Sequence, residues 1–243
     1  MLGNIQNKMA HMKNSIHPIL FFILLTSFTG LLSAAPITLI ATDDNIVNDS
    51  STGTTYDHTS TQLYVKHANS STRSAYVKFN LSTVIGSIDP SQGATLNLTF
   101  KELNGASSGN ADETFTFAAL ENTGSPTNTN WTESTLKYSN RPTGNYIDLG
   151  SDYTWSYNAG NDTHSIAISD LTNYIQADNT ITILLSGPKL NNTSNNPYWH
   201  SSESLTEAYR PSLVVVPEAS TLGLLAVGMI AVIGASRRRK VTA

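Results

Sequence analysis

The chain has 243 residues, no cysteine, only 13% charged residues and a formal net charge of −4 at pH 7. Six of its fourteen Lys and Arg lie in the two terminal segments, so residues 36–216 carry 8 cations against 17 Asp and Glu, a charge of −9. A body this acidic repels nucleic-acid phosphates, and the missing thiol excludes disulfides, thiolate metal sites and a cysteine nucleophile.

The chain opens with Lys8 and Lys13, an apolar run over residues 16–32 and the small residues Ser33-Ala34-Ala35. That is the layout of a secretory signal peptide over residues 1–35, with an N-terminal signal helix, and Met12 offers a more compact start than Met1. Residues 36–215 are enough for one domain with its own core and hardly enough for two.

Within this body, residues 37–42 read as a first short strand. Asp43-Asp44-Asn45 and Asn48-Asp49-Ser50 follow as turn chemistry. After a strand at Leu63-Tyr64-Val65-Lys66, Ala75, Val77 and Phe79 alternate with Tyr76, Lys78 and Asn80, a period of two that turns one apolar face inward. The alternation returns with Leu96, Leu98 and Phe100, and again with Phe115, Phe117 and Ala119. Residues 146–149 and 152–157 read as a pair of strands around Gly150-Ser151. Asp170 can cap a short helix through Ala177, with Leu171, Tyr174 and Ile175 on one face, and this is the single helix expected in the body. A dense β-branched strand over residues 180–186, then strands at 198–201 and 211–216, close the series. About ten short strands and one helical turn predict an all-β fold, an antiparallel β-sandwich of jelly-roll type.

The last segment, residues 216–243, contains Pro217-Glu218-Ala219-Ser220, an uncharged apolar run over residues 221–236, then Arg237-Arg238-Arg239-Lys240. Sixteen helical residues rise roughly 24 Å, short against a hydrocarbon core of about 30 Å, so the segment is a thin transmembrane helix. The four cations after it belong on the cytoplasmic side, which puts the body outside. Together these features resemble the PEP-CTERM sorting signal. The resemblance implies export, membrane anchoring at least in passing, and an exosortase partner that reads the tail through Pro217, Glu218, Arg237, Arg238 and Arg239. An ordinary C-terminal anchor is the plainer reading of the same residues.

A second resemblance covers nearly the whole body. Arg73-Ser74-Ala75-Tyr76-Val77-Lys78-Phe79-Asn80-Leu81-Ser82, Trp131-Thr132-Glu133, Tyr138-Ser139-Asn140-Arg141-Pro142, Ile168-Ser169-Asp170-Leu171-Thr172 and Trp199-His200-Ser201-Ser202-Glu203, in this order, are similar to the DNRLRE domain. The resemblance implies a jelly-roll-like sandwich related to carbohydrate-binding modules, with packing roles for Trp131 and Trp199. The sequence departs from that pattern at Asn80, where Asp is common, and at Tyr138, where Trp is common.

No zinc-type histidine spacing, nucleophile elbow or phosphate-cradling loop occurs, so no catalytic residue is assigned. A hydrolase needing only two carboxylates could use Glu133 and Glu203, whose plainer reading is structural. Tyr153, Trp155 and Tyr157 fall at alternate positions and share one strand face. Exposed, they form a flat sugar platform; inward, they are core. Asp43, Asp44 and Asp49 are the acidic residues that could hold calcium, the one cofactor the sequence suggests, against the plainer reading of a solvated turn. The expected function is a non-enzymatic surface or extracellular-matrix protein that binds polysaccharide or serves a structural role beside it. A polysaccharide-degrading enzyme and a pure scaffold are the alternatives.

Overall fold

The computed structural model describes residues 35–49, 59–68, 71–104, 113–150, 153–155, 160–187, 189–190 and 196–218. Pro36–Pro217 is one compact unit. The expected signal helix and transmembrane helix fall on residues 1–34 and 219–243, outside the described residues; among those described, no helix is long and apolar enough to cross a membrane.

Strands dominate because the body alternates apolar and polar residues and is rich in Thr, which with the Ile, Val and aromatic residues at its inward positions fits a pleated half-buried surface. In chain order they are β1 (Ile37–Ile40), β2 (Asp43–Asn48), β3 (Gln62–Tyr64), β4 (Lys66–Ala68), β5 (Ser71–Asn80), β6 (Ala94–Asn104), β7 (Glu113–Leu120), β8 (Tyr146–Asp148), β9 (Tyr153–Trp155), β10 (Asp162–Ile168), β11 (Thr180–Ser186), β12 (Lys189–Leu190), β13 (Asn196–His200) and β14 (Ser212–Val215). A six-stranded sheet runs β1-β14-β6-β13-β3, with β10 on the other side of β6. An eight-stranded sheet runs β12-β4-β5-β11-β7-β8, with β2 also on β5 and β9 also on β7. The described pairings are antiparallel except for the two-residue contact of β12 with β4.

The predicted inward residues meet between the sheets. Ala75, Val77 and Phe79 of β5, Ile181, Ile183 and Leu185 of β11, and Phe115, Phe117 and Ala119 of β7 face Leu96, Leu98 and Phe100 of β6, with Ile166, Leu213 and Val215 beside them. All are buried, and each full burial of a Leu, Ile or Phe contributes roughly 1.5–3 kcal/mol of transfer free energy. Trp199 of β13 stands at the centre, fully buried, with its ring 5.3–5.4 Å from those of Phe100, Phe115, Phe117 and Tyr153.

The eight-stranded sheet also buries part of its outer face. The chain between β7 and β8 crosses it and seats Trp131 and Leu136 on Tyr76 and Val47. Trp131 Nε1 donates to Thr182 Oγ1 at 3.2 Å, and Lys78 Nζ donates to the Trp131 carbonyl. Packing roles for Trp131 and Trp199 are therefore observed.

Three local expectations are corrected. Asp43-Asp44-Asn45 is strand, not turn, because β2 pairs with β5 along its whole length. β8 and β9 do not pair with each other; both run along the same side of β7, at Ala118–Leu120 and Glu113–Phe115. Between them, Gly150 has φ +68° and its N–H donates to Asp148 Oδ1 at 2.8 Å, a kink rather than a hairpin reversal. The helix expected over residues 170–177 is a single turn. Tyr174 N and Ile175 N both donate to Leu171 O, but Gln176 N donates across to Thr180 O, and its side chain donates to Leu120 O. That side chain ties the turn to β7 and ends it. Among the described residues the helical elements are 3₁₀ turns at Pro90–Gln92, Tyr138–Asn140 and Glu207–Tyr209.

Candidate functional site

The alternating aromatic stripe begins inside the sandwich. Tyr153 is 7% exposed, stacked among Phe100, Phe115 and Trp199, and its hydroxyl donates to Asp162 Oδ2 at 3.0 Å. Burial, and then the Asp162 carboxylate, push its phenol above the usual tyrosine range. Trp155 ends β9, with its side chain outside the described residues, and Tyr157 lies outside them altogether. A different aromatic pair sits where β3 and β13 run side by side: Tyr64 and Tyr198 are opposite each other in register, with rings 5.4 Å apart. The Arg73 guanidinium lies 4.5 Å from the Tyr64 ring centroid, and Lys66 Nζ 5.4 Å from it. Tyr198 is half-buried.

The three aspartates considered for calcium go separate ways. Asp43 forms an ion pair with Lys78 at 2.9 Å, and its Oδ1 accepts from Glu133 N at 3.3 Å. Asp49 is exposed and accepts from Thr72 N at 2.7 Å. Asp44 alone turns into a cluster of carboxylates, and its partners there are the two glutamates considered as a catalytic pair, Glu133 and Glu203. One carboxylate oxygen from each of the three lies within 4.8 Å of the others.

The cluster is built by three segments remote in sequence. β2 contributes Asp44, which is 2% exposed and accepts from Ser202 N at 2.6 Å. The chain after β7 contributes Glu133, held by its backbone: its N–H donates to Asp43, and its carbonyl accepts from Asn45 Nδ2 at 2.6 Å. The chain after β13 contributes Glu203, whose N–H donates to Ser201 Oγ at 3.2 Å and whose Oε1 accepts from Ser202 Oγ at 2.7 Å. Burial first, and then the charges of Glu203 and Glu133, push the Asp44 carboxyl well above the ordinary carboxylate range against the opposing Ser202 hydrogen bonds. At such separations two full charges repel by on the order of 3 kcal/mol in an effective dielectric near 20. The site can therefore take up a proton or a cation, or set up acid–base chemistry. The sequence named all three residues but could not join them.

His200, also buried, bridges Ser204 Oγ at Nδ1 (3.0 Å) and Asn161 Oδ1 at Nε2 (2.8 Å), with its ring on Tyr209. Ser204 is itself buried, so this arrangement braces the loop after β13.

At the far end of the body, β14 is held between β1 and β6. Its ladder runs on without a spacer: Asp89 N donates to Val216 O at 3.1 Å, and Pro217 bridges Ile88. Pro217 and Glu218 thus sit at the margin of the folded unit, while Arg237, Arg238 and Arg239 lie outside the described residues.

The described residues form a cysteine-free antiparallel sandwich with a dense aromatic core and, where β3 meets β13, the buried Tyr64 beside the half-buried Tyr198. The chain belongs to carbohydrate-binding module family 96, whose model matches residues 35–217. The PEP-CTERM protein-sorting motif matches residues 215–240. Export and sorting through that tail are thereby supported, whereas the DNRLRE name remains a resemblance. A search of curated proteins returned no match.

Proposed function

We propose that the chain is an exported, non-enzymatic module that binds polysaccharide at the cell surface or in the extracellular matrix. A membrane exosortase processes it at the tail, and an apolar helix over residues 221–236 anchors it until then. The observation that carries this reading is the carbohydrate-binding family match across the entire sandwich, followed directly by the sorting motif. The domain limits 1–35, 36–215 and 216–243, and the jelly-roll form of the sandwich, belong to the same reading.

Sugars present apolar C–H faces to aromatic rings and hydroxyls to polar edges. Trp155, at the end of an edge strand, and Tyr198, beside Tyr64, are the aromatic positions that would meet a glycan. Tyr153 supports them from within the core. Affinity electrophoresis through gels containing bacterial exopolysaccharides tests this. Retardation of the wild type, weakened about tenfold by Trp155→Ala or Tyr198→Ala, is the expected result, the size of a single anchoring aromatic lost from a binding surface, roughly 1–2 kcal/mol. Free migration of the wild type through every gel would end the proposal.

A further inference from the structure

We propose that Asp44, Glu133 and Glu203 form a calcium site that clips β2, the excursion between β7 and β8, and the loop after β13 to one another. The inference does not depend on glycan binding.

Convergence alone would be weak ground, since acidic residues gather on many surfaces. Here Asp44 is only 2% exposed, Glu133 and Glu203 are half-buried, and each carboxylate offers an oxygen within 4.8 Å of the other two. A separate observation points to a missing ligand: Glu203 Oε2 is buried and accepts no hydrogen bond, although its sister oxygen takes the Ser202 hydroxyl. A buried carboxylate oxygen without a donor is rare in native proteins, because desolvation is not repaid.

The chemistry of the donors selects the ion. Three carboxylates and the neighbouring Ser202 hydroxyl are hard oxygen donors, with no histidine or sulfur in the group. Calcium binds oxygens at about 2.3–2.6 Å, so two ligands on one ion stand up to roughly 5 Å apart, which accommodates the 4.8 Å limit. Magnesium needs about 2.1 Å in near-ideal octahedral geometry and is held by one or two carboxylates rather than three. The donors also arrive prepositioned. The backbone of Glu133 is fixed by the Asp43 and Asn45 bonds, and Glu203 is held by Ser201 at its N–H and by the Ser202 hydroxyl at its carboxylate.

The test is thermal melting of the full-length chain in mild detergent, after chelation, with and without about 10 mM CaCl₂, roughly a hundredfold above a Kd of order 10⁻⁴ M for extracellular sites. Calcium is expected to raise Tm by about 5 °C or more. Magnesium should do less, Glu203→Gln and Glu133→Gln should each abolish the rise, and Asp49→Asn should keep it. No rise in the wild type, or a rise that survives both Gln substitutions, overturns the site. Should the Gln variants fail to fold, terbium luminescence excited through tryptophan decides on the wild type. Emission saturating at one ion per chain and quenched by calcium supports the site, and its absence refutes it.

Discussion

Two clusters of side chains mark this sandwich, one of aromatic rings and one of carboxylates, and they obey opposite rules. Around Trp199, five aromatic rings interlock at centroid distances of 5.3–6.4 Å, and every new contact adds to the same favourable sum. Around Asp44, three carboxylates are brought together against their mutual repulsion. The first cluster explains why the domain folds without cysteine. The second gathers like charges around a buried carboxyl, and groups of that kind gather at functional sites.

The largest effect expected from this contrast is at the centre. Trp199→Ala should destabilise the domain by about 3–5 kcal/mol in denaturant titration, the usual cost of truncating a fully buried large aromatic. Its Nε1 has no hydrogen-bond partner, so packing is all that Trp199 contributes. Trp199→Phe should therefore be much milder, and equal losses for the two variants would contradict this packing account.

An intermediate effect comes from the outer face of the eight-stranded sheet, where polar and aromatic groups mix. Burial pushes the Tyr76 phenol up to about 12, with the Arg141 charge opposing. Because the folded value lies above the unfolded one of about 10, Tyr76 adds full stability below pH 10 and loses it as pH rises toward 12. Two pKa units correspond to about 2.7 kcal/mol. Absorbance at the phenolate band should show Tyr76 ionising with unfolding in that window. A Tyr76→Phe variant with an unchanged alkaline midpoint would contradict the assignment.

The smallest effect carries the opposite sign. In chelator at neutral pH, Glu203→Gln should leave stability unchanged or raise it by about 1 kcal/mol, because it removes a like charge from the cluster. A loss of several kcal/mol would mean that the carboxylates are held by ordinary structural partners.

The same contrast decided what could be read in advance. Ala75, Val77 and Phe79, or Leu96, Leu98 and Phe100, announce their shared face through a period of two, so the strands and most of the core were legible. Asp44, Glu133 and Glu203 obey no period. They meet because β2 pairs with β5, Trp131 seats on Thr182, and Ser202 reaches Asp44. Their composition even misled: Asp43-Asp44-Asn45 reads as a turn, and pairing overrides that propensity. Leu171, Tyr174 and Ile175 satisfy helical spacing over one turn only, and five residues cannot distinguish a single turn from the start of a helix. The alternate positions of Tyr153, Trp155 and Tyr157 predict a shared face, but that Tyr153 points inward depends on Phe100 and Trp199 of the facing sheet.

The central claim is that this sandwich binds polysaccharide without cutting it. Incubating the full-length chain with a panel of bacterial exopolysaccharides, and measuring both retained protein and released reducing or unsaturated ends, tests it most directly. Retention on at least one polysaccharide with no product above the blank is the predicted result. Product release that disappears in Glu133→Gln and Glu203→Gln would contradict it and make the carboxylate cluster a catalytic centre.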